Sequence, residues 1–231
     1  MIMSPKPRLV ITGSEGLIGR ELIRHFENQF SIFRLDLVLG HDLASDEFVS
    51  QWFAENRDLY GMIVAHAFNP VPTRDARKVE PIDVPLDELR RYFEVNSVSA
   101  FNVCRHFIAN NTGGSLINIS SLYGVVSPRH DIYQDFVKPI GYSLSKAAVI
   151  AMGKYLATYY APQFRINTVI LGGVADPAQD PTFVSDYSRN VPMGRLMNLN
   201  EIFSVFDFLL DNRSSYVTGS EFVVDGGWTA W

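Results

Sequence analysis

The sequence predicts an α/β protein: a single-domain, Rossmann-like, doubly wound parallel sheet with helices on both faces, a three-layer α/β/α arrangement. Two observations carry this. Short apolar or β-branched runs alternate with helical patterns of ten or more residues along the chain, which is the pattern of βαβ units and a largely parallel sheet. The first unit, "VITGSEGLIG" at 10–19, runs a strand straight into three glycines and then opens a helix. Such crossovers are right-handed, and ligands bind at the carboxyl ends of the strands.

The elements follow in order. A strand at 8–12 (RLVIT) precedes a helical pattern at 17–29 and a further strand at 31–37 (SIFRLDL). A helix at 47–56 leads to a strand at 61–67 (GMIVAHA), and 86–111 reads as one long helix. The run GSLINISS (114–121) is a strand, followed by a helix at 142–162 and a strand at 165–172 (RINTVILG). A helix at 200–210 and a strand at 220–227 complete the alternation.

The bulk numbers bound the function. The 231 residues are 47% apolar and 19% charged, an ordinary globular composition long enough for one large domain. A net charge of −5 argues against a nucleic-acid or membrane-surface partner, which would need clustered Lys and Arg. Cys104 is the single cysteine, so no internal disulfide forms, and its apolar surroundings predict a packing role. No apolar run reaches 18 residues and no signal pattern opens the chain, which predicts a cytoplasmic protein. The five histidines lack metal-ligand spacing, so no metal is expected.

The turn after the first strand has the chemistry of a phosphate cradle. Gly13 permits the tight turn, Gly16 lets the backbone approach a pyrophosphate, and Gly19 lets the helix pack close to the strand. The helix N-terminus adds free N–H groups and a positive dipole end, so Gly13, Ser14, Gly16, Leu17, Ile18 and Gly19 form the predicted cofactor loop. Asp36 follows at the end of the second strand, where a carboxylate accepts from ribose hydroxyls and repels a 2′-phosphate. With Glu15 in the loop, this favours NAD over NADP. Arg34 stands close enough to keep NADP open, and Asp36 also reads as a strand-end turn residue.

"GYSLSK" places Tyr142 four residues before Lys146. That spacing shares a helix face, which on its own is more often structural than catalytic. A second pair, Tyr133 and Lys138, is five apart and does not share a face.

With the cradle, "NISSLYG", "YSLSK" and "VDGG" in view, the chain resembles the short-chain dehydrogenase/reductase family over essentially its whole length. The family pattern has a serine after the fifth strand, Tyr-x-x-x-Lys in the next helix and an asparagine in the helix before the serine. These fall on Ser121, Tyr142, Lys146 and Asn96. The resemblance implies that Tyr142 exchanges a proton with the substrate oxygen, acid for reduction and base for oxidation. Lys146 favours the phenolate and contacts the nicotinamide ribose, and Ser121 polarises the substrate oxygen. Asn96 holds a water that links the lysine to solvent. Ser120 is a rival for the serine role, Asn96 also reads as a residue that caps or kinks its helix, and His66 reads as packing. Asp42 and Leu43 match the pair that holds the adenine, and Gly172 and Val174 fall on the loop after the sixth strand. Residues 1–120 would mainly hold the cofactor. Residues 121–231 would supply catalysis, a mobile substrate lid at about 176–192, and oligomer contacts.

Departures from the pattern are equally visible. The glycine spacing T-G-x-x-G-x-x-G is that of an extended branch, while the length and tail are those of the compact, classical one. Ala65, His66, Ala67 and Phe68 stand where the family writes Asn-Asn-Ala-Gly, which alters that wall of the cofactor site. The helix between the family's second and third strands is nearly absent. Leu171-Gly172 replaces Pro-Gly. Ser121 and Tyr142 are 21 residues apart, wider than in the family, so residues have been inserted within 127–140. That insertion, "KPIGYSLSKAA" and the "TAW" end resemble a subgroup found in bacterial surface-sugar (nonulosonate) pathways.

The expected activity is hydride transfer between a nicotinamide cofactor, NAD(H) preferred, and a hydroxyl or keto group of a small polar substrate, a sugar or sugar derivative among them. The polar composition of 176–192 supports a hydroxylated substrate. An NADPH-dependent keto or acyl reductase is the enzymatic alternative. A cofactor-binding regulatory subunit without catalysis draws on the altered 65–68 segment, and a sugar epimerase or dehydratase on the glycine spacing. The resemblance also implies a homotetramer or homodimer built in part by helices 86–111 and 142–162.

Overall fold

The structure, a computed structural model, describes residues 5–69, 79–133 and 136–231. Six parallel strands form one sheet in the order β2-β1-β3-β4-β5-β6. They are β1 Arg8–Thr12, β2 Ser31–Leu35, β3 Gly61–Val64, β4 Gly114–Ser121, β5 Phe164–Leu171 and β6 Glu221–Val224. The helices are α1 Leu17–Phe26, α2 Asp46–Glu55, α3 Leu86–Phe93, α4 Ser99–Asn110, α5 Ile140–Tyr160, α6 Pro181–Arg189 and α7 Phe203–Leu210. The order reverses at β1, whose neighbours β2 and β3 lead away in opposite directions, and the glycine loop sits at that switch point.

Alternate strand residues face opposite layers. Val10, Met62, Leu116 and Ile166 join Phe53, Val103, Phe107 and Leu156 of α2, α4 and α5 on one face. Leu9, Ile11, Ile63, Ile117 and Val169 join Leu22 and Phe26 of α1 and Phe206 and Leu209 of α7 on the other. Cys104 is buried in the first of these clusters, as expected of a small hydrophobe. Fully burying such a side chain stabilises by about 1.5–3 kcal/mol, so both helical layers are needed to cover a sheet that is apolar on its two faces.

One feature departs from the family pattern and one from the sequence reading. The serine-bearing strand is the fourth of six, as read, rather than the family's fifth, and among the described residues no strand pairs with β2 on its outer side. Leu35 instead runs into a 3-10 turn at Leu37–Leu39 capped by Asp36, and Ser45 then caps α2. The long helix at 86–111 is in fact α3 and α4 joined by a π-helical turn, Glu94–Val98, with Asn96 inside it. A π turn inserts one residue into the helical register and is common at functional sites.

Among the described residues no helix is long and apolar enough to cross a membrane.

Candidate active site

The cofactor loop closes over the carboxyl ends of β1 and β2. Gly13 has φ +63°, and a Cβ there would lie 2.7 Å from the backbone nitrogen of His66, so the turn needs glycine for both conformation and space. Gly16 caps α1 without a side chain. The start of α1 is therefore left as a backbone donor site for an anion. Asp36 accepts from the Glu15 N–H at 2.8 Å and from the Val38 N–H at 3.0 Å, so the carboxylate both caps its turn and braces the glycine loop. Glu15 pairs with Arg34 and lies 3.8 Å from Arg20, which answers the basic residue beside Asp36 with a carboxylate. Ser14 is buried beneath the loop. Asp42 caps the Ala44 N–H at 3.0 Å, while Leu43 is buried against α2 and α4 with its carbonyl accepting from Asn102 Nδ2 at 3.1 Å.

The altered wall at 65–68 is held by other means. His66 Nδ1 lies 2.7 Å from Thr12 Oγ1 and Nε2 lies 2.8 Å from Ser99 Oγ, so its ring ties β1 to α4. Burial, then the charge of Lys146, lowers its pKa to about 3, and the ring is a neutral strut. Asn96 holds Phe68 by both backbone groups and also donates to Ser145 Oγ at 3.0 Å. The Phe68 ring packs on Tyr92 with centroids 4.9 Å apart, and the Arg91 guanidinium lies 4.1 Å from its centre. A phenylalanine is thus accommodated where the family has glycine because the ring is drawn onto α3.

The four predicted catalytic residues come from two elements and a turn: Ser121 ends β4, Tyr142 and Lys146 lie on the first turns of α5, and Asn96 sits in the π turn. All four are buried. Ser121 hydrogen-bonds Tyr142, which offsets part of the upward shift that burial imposes on the phenol. The same serine accepts from the Tyr123 N–H at 3.2 Å, so it is strand-end cap and site residue at once. Its turn can meet α5 because Gly124 has no side chain: a Cβ there would lie 2.8 Å from the Lys146 carbonyl carbon. Ser120 points the other way and donates to the Lys146 carbonyl at 2.8 Å, which removes it as a rival.

Lys146 donates to the Ile119 carbonyl at 3.0 Å, and its Nζ is 6.0 Å from the Tyr142 ring centre. Burial lowers its pKa to about 8. A second ammonium, unforeseen from spacing, is nearer: Lys138 Nζ lies 4.3 Å from the same ring. No local signal in the sequence places it there. The Asn96 side chain is committed to Phe68 and Ser145.

The inserted segment 127–140, of which residues 134 and 135 lie outside the described residues, folds over the start of α5. A cavity of about 420 Å³ opens there, lined in part by Tyr123, Val126, His130, Lys138 and Ser143. Tyr133 is buried and donates from its hydroxyl to Tyr123 Oη at 2.7 Å. The segment 176–192 carries α6, capped by Asp180. Its inward residues are Phe183, Val184 and Tyr187, which join Tyr133, Tyr142 and Trp228 in one cluster. Tyr187 stacks on Trp228 at 4.4 Å and accepts from the Gly173 N–H at 2.7 Å. The inner face of α6 is therefore aromatic and aliphatic, while polar residues of the segment such as Asp176, Gln179 and Asp186 are half-buried around it. Gly172 is fixed by its N–H to the Val224 carbonyl at 2.9 Å, and Val174 bridges to Met197.

The chemistry of these residues fits a nicotinamide dinucleotide: a backbone donor site at the start of α1, the Asp36 carboxylate after β2 and the Tyr142 phenol beside Ser121 lie at the carboxyl-terminal end of the sheet. Comparison with known proteins agrees. A family model described as enoyl-(acyl carrier protein) reductase matches residues 18–229. An uncharacterised short-chain type dehydrogenase/reductase of Sinorhizobium fredii is 29% identical over 98% of this chain and 44% of its own length. Glucose 1-dehydrogenase of Gluconobacter oxydans is 27% identical over 82% of this chain and 71% of its own. The chain spans about half the length of the first curated relatives it matches. A short-chain dehydrogenase of Leptospira borgpetersenii, solved with bound NAD+, superposes with a TM-score of 0.86 at 23% identity, covering 99% of this chain and 97% of that one.

Proposed function

The chain belongs to the short-chain dehydrogenase/reductase family, and we propose that it is an oxidoreductase moving hydride between NAD(H) and a hydroxyl or keto group of a small substrate. The observation that carries the reading is the convergence of Ser121, Tyr142, Lys146 and Asn96, since a cofactor-binding subunit without catalysis has no use for all four. When bound, the nicotinamide supplies or accepts the hydride. Ser121 holds the substrate oxygen as charge develops on it. Tyr142 gives that oxygen a proton in reduction and takes one in oxidation. Lys146 favours the ionised phenol by its charge. The Asn96 side chain holds the wall opposite α5 in place.

Preference for NAD rests on Asp36 and on the pairing of Arg34 with Glu15, which leaves a 2′-phosphate facing a carboxylate. A sugar or sugar derivative is our substrate class, supported by the likeness to glucose 1-dehydrogenase. The family model's acyl description and the aromatic inner face of the lid favour a keto or acyl reductase as the second reading. Residues 1–120 then mainly hold the cofactor, and 121–231 supply catalysis and the lid. Phe101, Leu144, Tyr155 and Tyr159 expose apolar surface on α4 and α5, which supports a homotetramer or homodimer; the cytoplasm is our proposed location.

The test is a screen of sugar, polyol and keto substrates with both cofactors, repeated on Tyr142→Phe. That variant is expected to lose turnover while binding NADH within a few-fold of the parent, and Tyr133→Phe to lose far less. Full activity in Tyr142→Phe would sink the assignment.

A further inference from the structure

Two of the places where the chain departs from its family, the insertion after Ser121 and the segment at 65–68 with Asn69 next to it, meet at one side chain. Lys138 of the insertion is 8% exposed, and its Nζ lies nearer the Tyr142 ring than Lys146 does, 4.3 Å against 6.0 Å. The same Nζ donates to Asn69 Oδ1 at 2.5 Å. Asn69 follows Phe68, whose backbone is fixed by Asn96. The ammonium is therefore held from one side by the cofactor wall and faces the phenol ring on the other. A cation at this distance is attracted by the aromatic quadrupole, and the attraction grows when the phenol ionises.

We infer that Lys138 is a positioning residue of the acid–base device, a second positive charge that Asn69 holds beside Tyr142 to favour its phenolate. The inference rests on the reading of Tyr142 as the proton-exchanging group.

Charged groups beside the Tyr142 ring are few. Among the described residues the ionisable groups facing Tyr142 are Lys146 on α5, Lys138, and four phenols. Those phenols are Tyr92 of α3, Tyr123 of the turn after β4, Tyr133 of the insertion and Tyr187 of α6. Burial raises all four, Tyr92 and Tyr123 to about 12, so each is neutral where the enzyme works. His66 faces Lys146 and is neutral for the reason given above. Glu88 and Arg91 of α3 act on Tyr92, with opposite signs. Burial, and then mutual repulsion with Lys146, lowers Lys138 to about 8 while the phenol is protonated, which leaves it charged at neutral pH; a phenolate beside it raises it again, so lysine and tyrosine titrate as a coupled pair.

Ionisation of Tyr142 is read as the ultraviolet difference titration between each protein and the same protein carrying Tyr142→Phe, with no cofactor or substrate added. Lys138→Met is expected to raise that titration by about one pH unit. The acid limb of kcat/KM for alcohol oxidation should rise with it, about tenfold slower at a fixed pH below the limb. Lys138→Arg is expected to keep both near the parent, and Asn69→Ala to move both in the same direction by less. Should Lys138→Met not fold, Lys138→Gln carries the same expectation and Asn69→Ala the smaller one. An unmoved titration and limb, whatever happens to the maximal rate, would overturn the inference and leave Lys138 a packing residue. A protein that turns over no alcohol, yet whose Tyr142 titration follows Lys138, would keep this inference and remove the reading of function instead.

Discussion

Asn96 clasps the backbone of Phe68 at both ends, its Oδ1 accepting from the Phe68 N–H at 2.6 Å and its Nδ2 donating to the Phe68 carbonyl at 3.1 Å. This holds the loop after β3 against the π turn, and through Ser145 against α5. Asn96→Ala should leave the Phe68 groups unpartnered, at a cost of about 1–3 kcal/mol. For a chain of this size a loss near 2 kcal/mol lowers Tm by about 4–8 °C, which calorimetry would read. Asn96→Asp is expected not to rescue, because a carboxylate can meet the Phe68 N–H but has nothing to donate to its carbonyl or to Ser145. A variant as stable as the parent would show that the clasp contributes little.

Cofactor choice turns on Glu15 as much as on Asp36. The carboxylate of Glu15 engages Arg34 and stands near Arg20, so removing its charge frees two guanidiniums beside the ribose site. Fluorescence titration should show the parent binding NADH more tightly than NADPH. Glu15→Gln is expected to narrow that gap by about tenfold, or 1.4 kcal/mol, chiefly through tighter NADPH binding. Tighter NADPH binding by the parent would overturn the reading of Asp36 and Glu15.

The parts of the molecule legible in the sequence are those set by local pattern. β4 falls on 114–121 as read, since a buried central strand is apolar or small on both faces. Tyr142 and Lys146 were readable only in company, because their spacing says nothing until the cradle and Ser121 stand before them. The π turn at 94–98 was not readable: its register shift is imposed by contacts to distant groups, Asn96 to Phe68 and Ser97 to the Ser145 carbonyl. Lys138 escaped for the same reason, as its contact with Tyr142 depends on the course of an insertion with no repeating pattern. The polar composition of 176–192 does not say which of its side chains turn inward. The spacing of Phe183, Val184 and Tyr187 at helical intervals was the better signal, and it points an aromatic face inward.

His66 gives the protein a pH dependence that its relatives' asparagine would not. The ring is held neutral between Thr12 and Ser99, with its pKa lowered from 6.5 to about 3, mainly by burial. In the unfolded chain it protonates near 6.5. The stabilisation is therefore complete above pH 6.5 and is lost progressively as pH falls toward 3, because the unfolded state binds the proton first. A single group of this kind contributes a slope of up to about 1.4 kcal/mol per pH unit. Carboxylates add their own acid limb, so the measurement is a difference: urea denaturation of the parent and of His66→Asn from pH 7 to pH 4. Asn can accept from or donate to both hydroxyls without titrating. The expected result is a variant that differs little at pH 7 and gains on the parent by a growing margin as pH falls below 6.5. Parallel curves would mean that His66 takes up its proton over the same pH range in the folded and the unfolded protein, and that the ring is not held as a neutral strut joining β1 to α4.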